Sequence, residues 1–191
     1  MIKVAICGNI ASGKSTVQKF LEKNGYKVLD TDKVAHELLT VKNDVLFKAF
    51  EKFDVFENGE FSREKLGKLV FKNADTKKML EDILHPQIRH EIEKFFEQNS
   101  CKKYVFVGIP LLFEANMTDL FDKIIFVYAD DEIRLKRLLR RNNYTIDYAK
   151  ARINSQMRQE EKAQKSDYVL NNNGSIEELK FKLTKLFEQI R

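Results

Sequence analysis

The sequence predicts an α/β fold built on a parallel sheet. Short apolar runs of the kind that form buried strands recur along the chain. The first two are joined by a loop and an amphipathic helix within about 30 residues, the spacing of a strand–helix–strand unit. The length of 191 residues suits one domain with insertions, at roughly 150 residues per domain.

The elements follow in order. Lys3–Cys7 reads as a buried strand that stops at Gly8. Ser15–Asn24 reads as a helix, because Val17, Phe20 and Leu21 fall on one face and Gly25 stands where a C-cap belongs. Tyr26–Leu29 is the second strand, running into Asp30-Thr31-Asp32. Residues 33–99 are Lys/Glu-rich and helical in pattern, with no convincing buried strand, a turn at Asn58-Gly59 and a helix start at Ser62. Ile92, Phe95 and Phe96 line a helix ending near Asn99-Ser100. This block is too long for a simple crossover and reads as a helical insertion. Tyr104–Val107 and Lys123–Ala129 are further strands, and Asp130 or Asp131 caps a basic helix from Glu132 to about Arg141. A turn at Asn142-Asn143-Tyr144-Thr145 leads to a second helix, Asp147–Lys162. Tyr168–Leu170 is the last strand, and Ile176–Ile190 is an amphipathic terminal helix.

Composition excludes several classes. Seven Gly and two Pro rule out collagen-like and Pro-rich chains, and 33% charge of mixed sign rules out a polyelectrolyte tail. No apolar run approaches the roughly 18 residues of a membrane span, so no membrane partner is expected. The start MIKVAICGNI lacks the pattern of a secretory signal. Cys7 and Cys101 sit in no CxxC or His/Cys cluster and fit a reducing, cytoplasmic setting.

The net charge of +5 is uneven. Residues 134–165 carry ten basic and three acidic side chains, a segment of +7 on a body of −2. Such a patch suits an anionic partner, a phosphate or a nucleic acid, or else is a solvated helix face. Tyr144 and Tyr148 are its only aromatic pair, too few for the stacking array of a single-strand binder, so nucleic acid is not expected.

Gly8-Asn9-Ile10-Ala11-Ser12-Gly13-Lys14-Ser15 fits GxxxxGK[ST]. Two glycines let the loop fold back so that backbone N–H groups converge on a phosphate at the positive end of a helix. In this arrangement Lys14 meets the β- and γ-phosphates and the Ser15 hydroxyl ligates Mg²⁺. The loop follows a strand and opens a helix, the context the motif requires. No NKxD-like guanine motif is present, and the Tyr104–Val107 strand runs into Gly-Ile-Pro where many ATPases place an Asp. A small chain without switch or motor parts points to a kinase for a small-molecule acceptor.

Asp30 and Asp32 stand at the carboxyl end of the second strand, where ligands bind in parallel α/β sheets. Strand alternation would aim both the same way. Either carboxylate there can accept a proton from an attacking hydroxyl or hold a Mg²⁺-bound water. The bland alternative is an N-cap, by Asp32 or Thr31, for a helix over Val34–Leu39.

The whole set of motifs resembles the dephospho-coenzyme A kinase family over nearly the full chain. The motifs are the phosphate loop with Thr16-Val17, Val28-Leu29-Asp30-Thr31-Asp32, Leu84-His85-Pro86 and Pro110-Leu111-Leu112-Phe113-Glu114. Arg137, Arg141, Arg152, Gln156 and Ser166-Asp167-Tyr168-Val169 with Asn172 and Gly174 complete it. Departures are Asn9 and Ala11 for common glycines, Ser166 for Ala and Asn171 for Asp.

The resemblance implies that ATP phosphorylates the 3′-hydroxyl of the dephospho-coenzyme A ribose, with Mg²⁺ and the two substrates as partners; the oligomeric state stays open. It implies a P-loop core with a five-stranded parallel sheet over 1–32, 103–131 and 166–191, an acceptor domain over 33–102 and a lid over 132–165. ATP would be held by Gly8, Ala11, Ser12, Gly13, Lys14, Ser15, Thr16, Arg141 and Asn172, the last at adenine. Lys14, Asp32, Arg137 and Arg141 would be catalytic, with Asp32 as base and Asp30 assisting. The arginines, at i and i+4, share a helix face. Asp30, Asp32, His85, Leu112 and Glu114 would meet the acceptor. Three of these have alternatives: packing at a helix start for His85, core packing for Leu112 and a surface ion pair for Glu114.

Overall fold

In the computed structural model, residues 1–40, 43–142 and 144–190 are described. Asn143 of the expected turn and Arg191 lie outside them. Five parallel strands form one sheet in the order β2-β5-β1-β6-β7: β1 Ile2–Cys7, β2 Lys27–Asp30, β5 Tyr104–Gly108, β6 Lys123–Tyr128 and β7 Tyr168–Asn171. β1 is central. The chain leaves it toward β2 at one edge and leaves β6 toward β7 at the other. The loop after β1 therefore stands at the topological switch point, where such sheets bind ligands.

Contacts divide the chain into two units, residues 1–30 with 96–191, and residues 31–95. In the first unit, strand alternation turns Val4 and Ile6 of β1 and Ile125 and Val127 of β6 to one face. There they form a buried core with α1 (Lys14–Lys23) and α9 (Ile176–Ile190), through Val17, Leu21, Leu179 and Leu183. Phe106 anchors a ring cluster with Tyr26 and Phe187. α6 (Asp131–Asn142), α7 (Ile146–Asn154) and α8 (Gln159–Gln164) lie between β6 and β7.

The second unit holds α2 (Thr31–Thr40), α3 (Asp44–Phe50), a hairpin of β3 (Phe56–Glu57) and β4 (Glu60–Phe61), α4 (Arg63–Lys72) and most of α5 (Ala74–Gln98). Its centre is aromatic: Phe47, Phe50, Phe56 and Phe61 pack ring on ring. The hairpin was not expected. Its strands are two residues each, too short to show a period, but Asn58 (φ 51°) and Gly59 (φ 84°) are the paired left-handed residues that a two-residue hairpin turn demands.

Three further expectations are corrected. Pro86 lies inside α5, so His85 is not at a helix start. Leu84, Ile88, Ile92 and Phe96 recur four residues apart and are all buried, and their burial offsets the hydrogen bond Pro86 cannot make. The predicted 147–162 helix is broken into α7 and α8, because residues 156 and 157 hydrogen-bond to other elements. β2 ends at Asp30 and α2 begins at Thr31, so strand alternation does not reach Asp32. Asp32 is not a cap but lies in the first turn of α2, where the helix dipole favours a carboxylate.

Candidate active site

The phosphate loop links β1 to α1. Gly13 precedes the helix at φ +104° and offers no side-chain cap, and Thr16 N–H bonds the Gly13 carbonyl at 2.9 Å, so an anion at this helix start would be met by the N–H groups ahead of Thr16. Both motif glycines are forced by space. A Cβ at Gly8 would sit 2.5 Å from Ser12 Oγ, and one at Gly13 would sit 2.1 Å from Asn172 Nδ2. Ala11, in place of a glycine, holds a left-handed φ of 61°.

Lys14 Nζ lies 3.6 Å from Asp30 Oδ1, their side chains 11% and 22% exposed. The structure thus brings the loop lysine to the carboxylate that ends β2. Ser15 is exposed in the first turn of α1, with Thr16 half-buried behind it. Gln18, one turn further, accepts from Lys14 Nζ at 3.4 Å. Sequence reading missed Gln18; its spacing of four from Lys14 was the available signal.

Asn172 is buried and donates from Nδ2 to the Ser12 carbonyl at 2.6 Å. Its own carbonyl accepts from Arg137 Nη2 at 2.9 Å, and Arg137 Nη1 reaches the Ser12 carbonyl at 3.3 Å. Burial holds the Arg137 guanidinium below its ordinary pKa. Asn172, expected at adenine, therefore has its side-chain N–H turned onto the loop. Arg137 and Arg141 part company: Arg141 is exposed and its Nε bonds Asn142 Oδ1 at 2.7 Å.

The turn between α7 and α8 rests on the loop. Gln156 Oε1 accepts from Ile10 N–H at 2.7 Å, and Asn9 Nδ2 donates to the Met157 carbonyl at 2.9 Å. Met157 N–H donates to Glu114 Oε1 at 3.3 Å. Glu114 also pairs with Lys162 Nζ at 2.7 Å, and this lysine is 0% exposed. The ion-pair alternative thus describes Glu114, although its partner is buried rather than at the surface. The packing alternative describes Leu112, which is fully buried. Lys162 and Arg134, both counted in the basic arm, are internal and paired with Glu114 and Asp131. A buried cation needs such a partner, so the arm's outward charge is smaller than its sequence count. His85 is half-buried on α5 in the second unit.

No group of three or more His, Cys, Asp or Glu side chains forms a metal cage among the described residues. Mg²⁺ with a nucleotide needs none, because phosphate oxygens and waters supply most of its ligands.

Comparison with known proteins agrees with this geometry. A profile of the dephospho-CoA kinase family matches residues 2–178. A dephospho-CoA kinase of Carboxydothermus hydrogenoformans is 41% identical over 179 residues, covering 91% of this chain and 87% of the relative. A crystal structure from Thermus thermophilus superposes with a TM-score of 0.84 at 34% identity, covering 100% of this chain and 98% of the other. The dephospho-CoA kinase of Campylobacter jejuni superposes with a TM-score of 0.75 at 33% identity, covering 98% of this chain and 96% of the other. The phosphate loop on a five-stranded parallel sheet is a P-loop kinase core, and the chain belongs to the dephospho-CoA kinase family.

Proposed function

We propose that this protein transfers the γ-phosphoryl group of ATP to the 3′-hydroxyl of the dephospho-coenzyme A ribose, the last step of coenzyme A biosynthesis. The ribose O3′ forms a bond to γ-phosphorus, the bond from γ-phosphorus to the β–γ bridging oxygen breaks, and ADP leaves. The hydroxyl proton passes to a carboxylate, and Asp32 is our choice for it. The single observation that carries the reading is Lys14, set on a glycine-ended phosphate loop and held by the strand-end carboxylate Asp30.

Loop N–H groups of Gly13, Lys14 and Ser15 cradle the phosphates, and Lys14 stabilises the charge that develops on the β–γ bridge. Arg137 braces the loop and adds positive charge beside it, and Arg141, exposed on the same helix, is free to reach phosphate or adenine. The exposed Ser15 hydroxyl fits Mg²⁺, which supplies further charge neutralisation when bound with ATP. Residues 33–102 receive the acceptor, with His85 among its contacts. Residues 132–165 act as the lid. Leu112 and Glu114 support that side of the site from within, through the core and through Lys162. The excess cations of the lid serve the triphosphate rather than a nucleic acid. Two free thiols, Cys7 and Cys101, accord with a reducing cytoplasm. No helix among the described residues is long and apolar enough to cross a membrane.

A coupled ADP-release assay with a panel of acceptors tests the reading. Dephospho-coenzyme A should be turned over far better than any nucleoside or nucleoside monophosphate. Equal turnover of a nucleoside monophosphate would overturn it.

A further inference from the structure

Gln18 is only 4% exposed, yet one end of its amide makes no hydrogen bond. Its Oε1 accepts from Lys14 Nζ at 3.4 Å. An ammonium only donates, so this contact sets the amide's orientation: oxygen toward Lys14, Nε2 away from it. Nε2 then faces the end of β5. A Cβ built on Gly108 would lie 2.1 Å from Gln18 Nε2 and 2.5 Å from its Cδ. Gly108 is the last residue of β5, paired with Ile6 of β1 beside the phosphate loop. Many ATPases carry a carboxylate at the end of the corresponding strand. Here the strand ends without a side chain, and an amide carried by α1 fills the space.

Packing alone does not account for this choice. A buried N–H without an acceptor destabilises the fold, and leucine would fill a similar volume without that cost. We propose that Gln18 is a positioning residue for the phosphoryl transfer. It holds the Lys14 ammonium in line with the phosphate loop through Oε1, and Gly108 is a glycine to make room for it. The inference rests on the kinase reading above and adds to it a residue that acts through Lys14.

The test compares Gln18→Leu, Gly108→Ala, Gln18→Ala and the Gln18→Ala/Gly108→Ala double variant with the wild-type protein. Gln18→Leu should lower kcat about tenfold, the worth of a hydrogen bond to a charged group. Its KM for ATP should stay within about threefold, and its Tm should hold or rise, because the unmet donor is gone. A purely structural role would instead leave kcat alone. Gly108→Ala should displace Gln18 and lower kcat as Gln18→Leu does. In the Gln18→Ala background the same change should cost nothing further, in kcat or in Tm. Full kcat in Gln18→Leu, or an equal Gly108→Ala penalty in both backgrounds, overturns the inference alone. A wild-type protein that releases no ADP with dephospho-coenzyme A overturns the kinase reading with it.

Discussion

The side chain of Asn172 holds the carbonyl of Ser12 at 2.6 Å, across 160 residues of sequence. Its Nδ2 sits where a Cβ on Gly13 would be, 2.1 Å away. The phosphate loop is thus shaped from outside, by the residue that follows the last strand. Gly13→Ala should destroy ATP binding, because it combines a φ of +104° with this collision. Asn172→Ala alone should weaken ATP binding about tenfold, through a loosened loop whose Ser12 carbonyl keeps only the longer bond from Arg137. Calorimetric titration with ATP checks both; affinity within twofold of the wild-type value in Gly13→Ala would remove this shaping from the account.

Lys14 is nearly enclosed and pairs with Asp30 at 3.6 Å. Arg137, whose guanidinium bonds the Ser12 and Asn172 carbonyls, is held by the loop and does not replace Lys14. Lys14→Ala should lower kcat at least about 10²-fold, as expected for a lost transition-state charge. Near-normal turnover would take Lys14 out of the mechanism.

Asp32 heads α2 directly after the strand end. As the group that takes the proton, it should matter to the chemical step rather than to binding. Asp32→Asn should lower kcat far more than it raises the acceptor's KM. A change confined to KM would make Asp32 a binding residue and Asp30 the better candidate for the base.

The two cysteines should separate cleanly in reactivity. Burial raises the Cys7 thiol from 9.0 to about 12, whereas Cys101 is exposed. The thiolate is the reactive form. Iodoacetamide at neutral pH should therefore label one thiol per native chain, and two after denaturation. The same shift links stability to pH. The folded value lies above the unfolded one, so the stabilisation is fully present below about pH 9 and is lost as pH rises toward 12. Relative to Cys7→Ala, the wild-type protein should lose stability across that window; a pH-independent difference in denaturant midpoints would contradict it.

Ala11 carries a left-handed φ of 61° that glycine adopts without strain. Ala11→Gly should stabilise the fold by up to about 1 kcal/mol in urea unfolding. A destabilised variant would mean that the methyl group makes packing contacts worth more than the strain.

Local features of the site were legible in the sequence, and long-range ones were not. The phosphate loop announced itself because its glycines, Lys14 and Ser15 act within eight consecutive residues. The core strands and the terminal helix announced themselves through apolar period, and Ile176–Ile190 is bounded as its pattern implies. The break between α7 and α8 left no local mark. It exists because Gln156 and Met157 bond to Ile10, Asn9 and Glu114, more than 40 residues away. Lys162 and Arg134 read as surface charge, since sequence shows a cation but not the carboxylate folded against it. Gln18 stayed hidden because its meaning depends on a missing side chain at Gly108, in a strand 90 residues further on.

The most direct test of the central claim is identification of the product. Incubation with ATP, Mg²⁺ and dephospho-coenzyme A, followed by mass spectrometry and phosphorus NMR, reports both the transfer and its position. The account predicts one new phosphate monoester on the ribose 3′-oxygen, formed in step with ADP. ADP formed without phosphorylated acceptor, or phosphate at any other position, would contradict it.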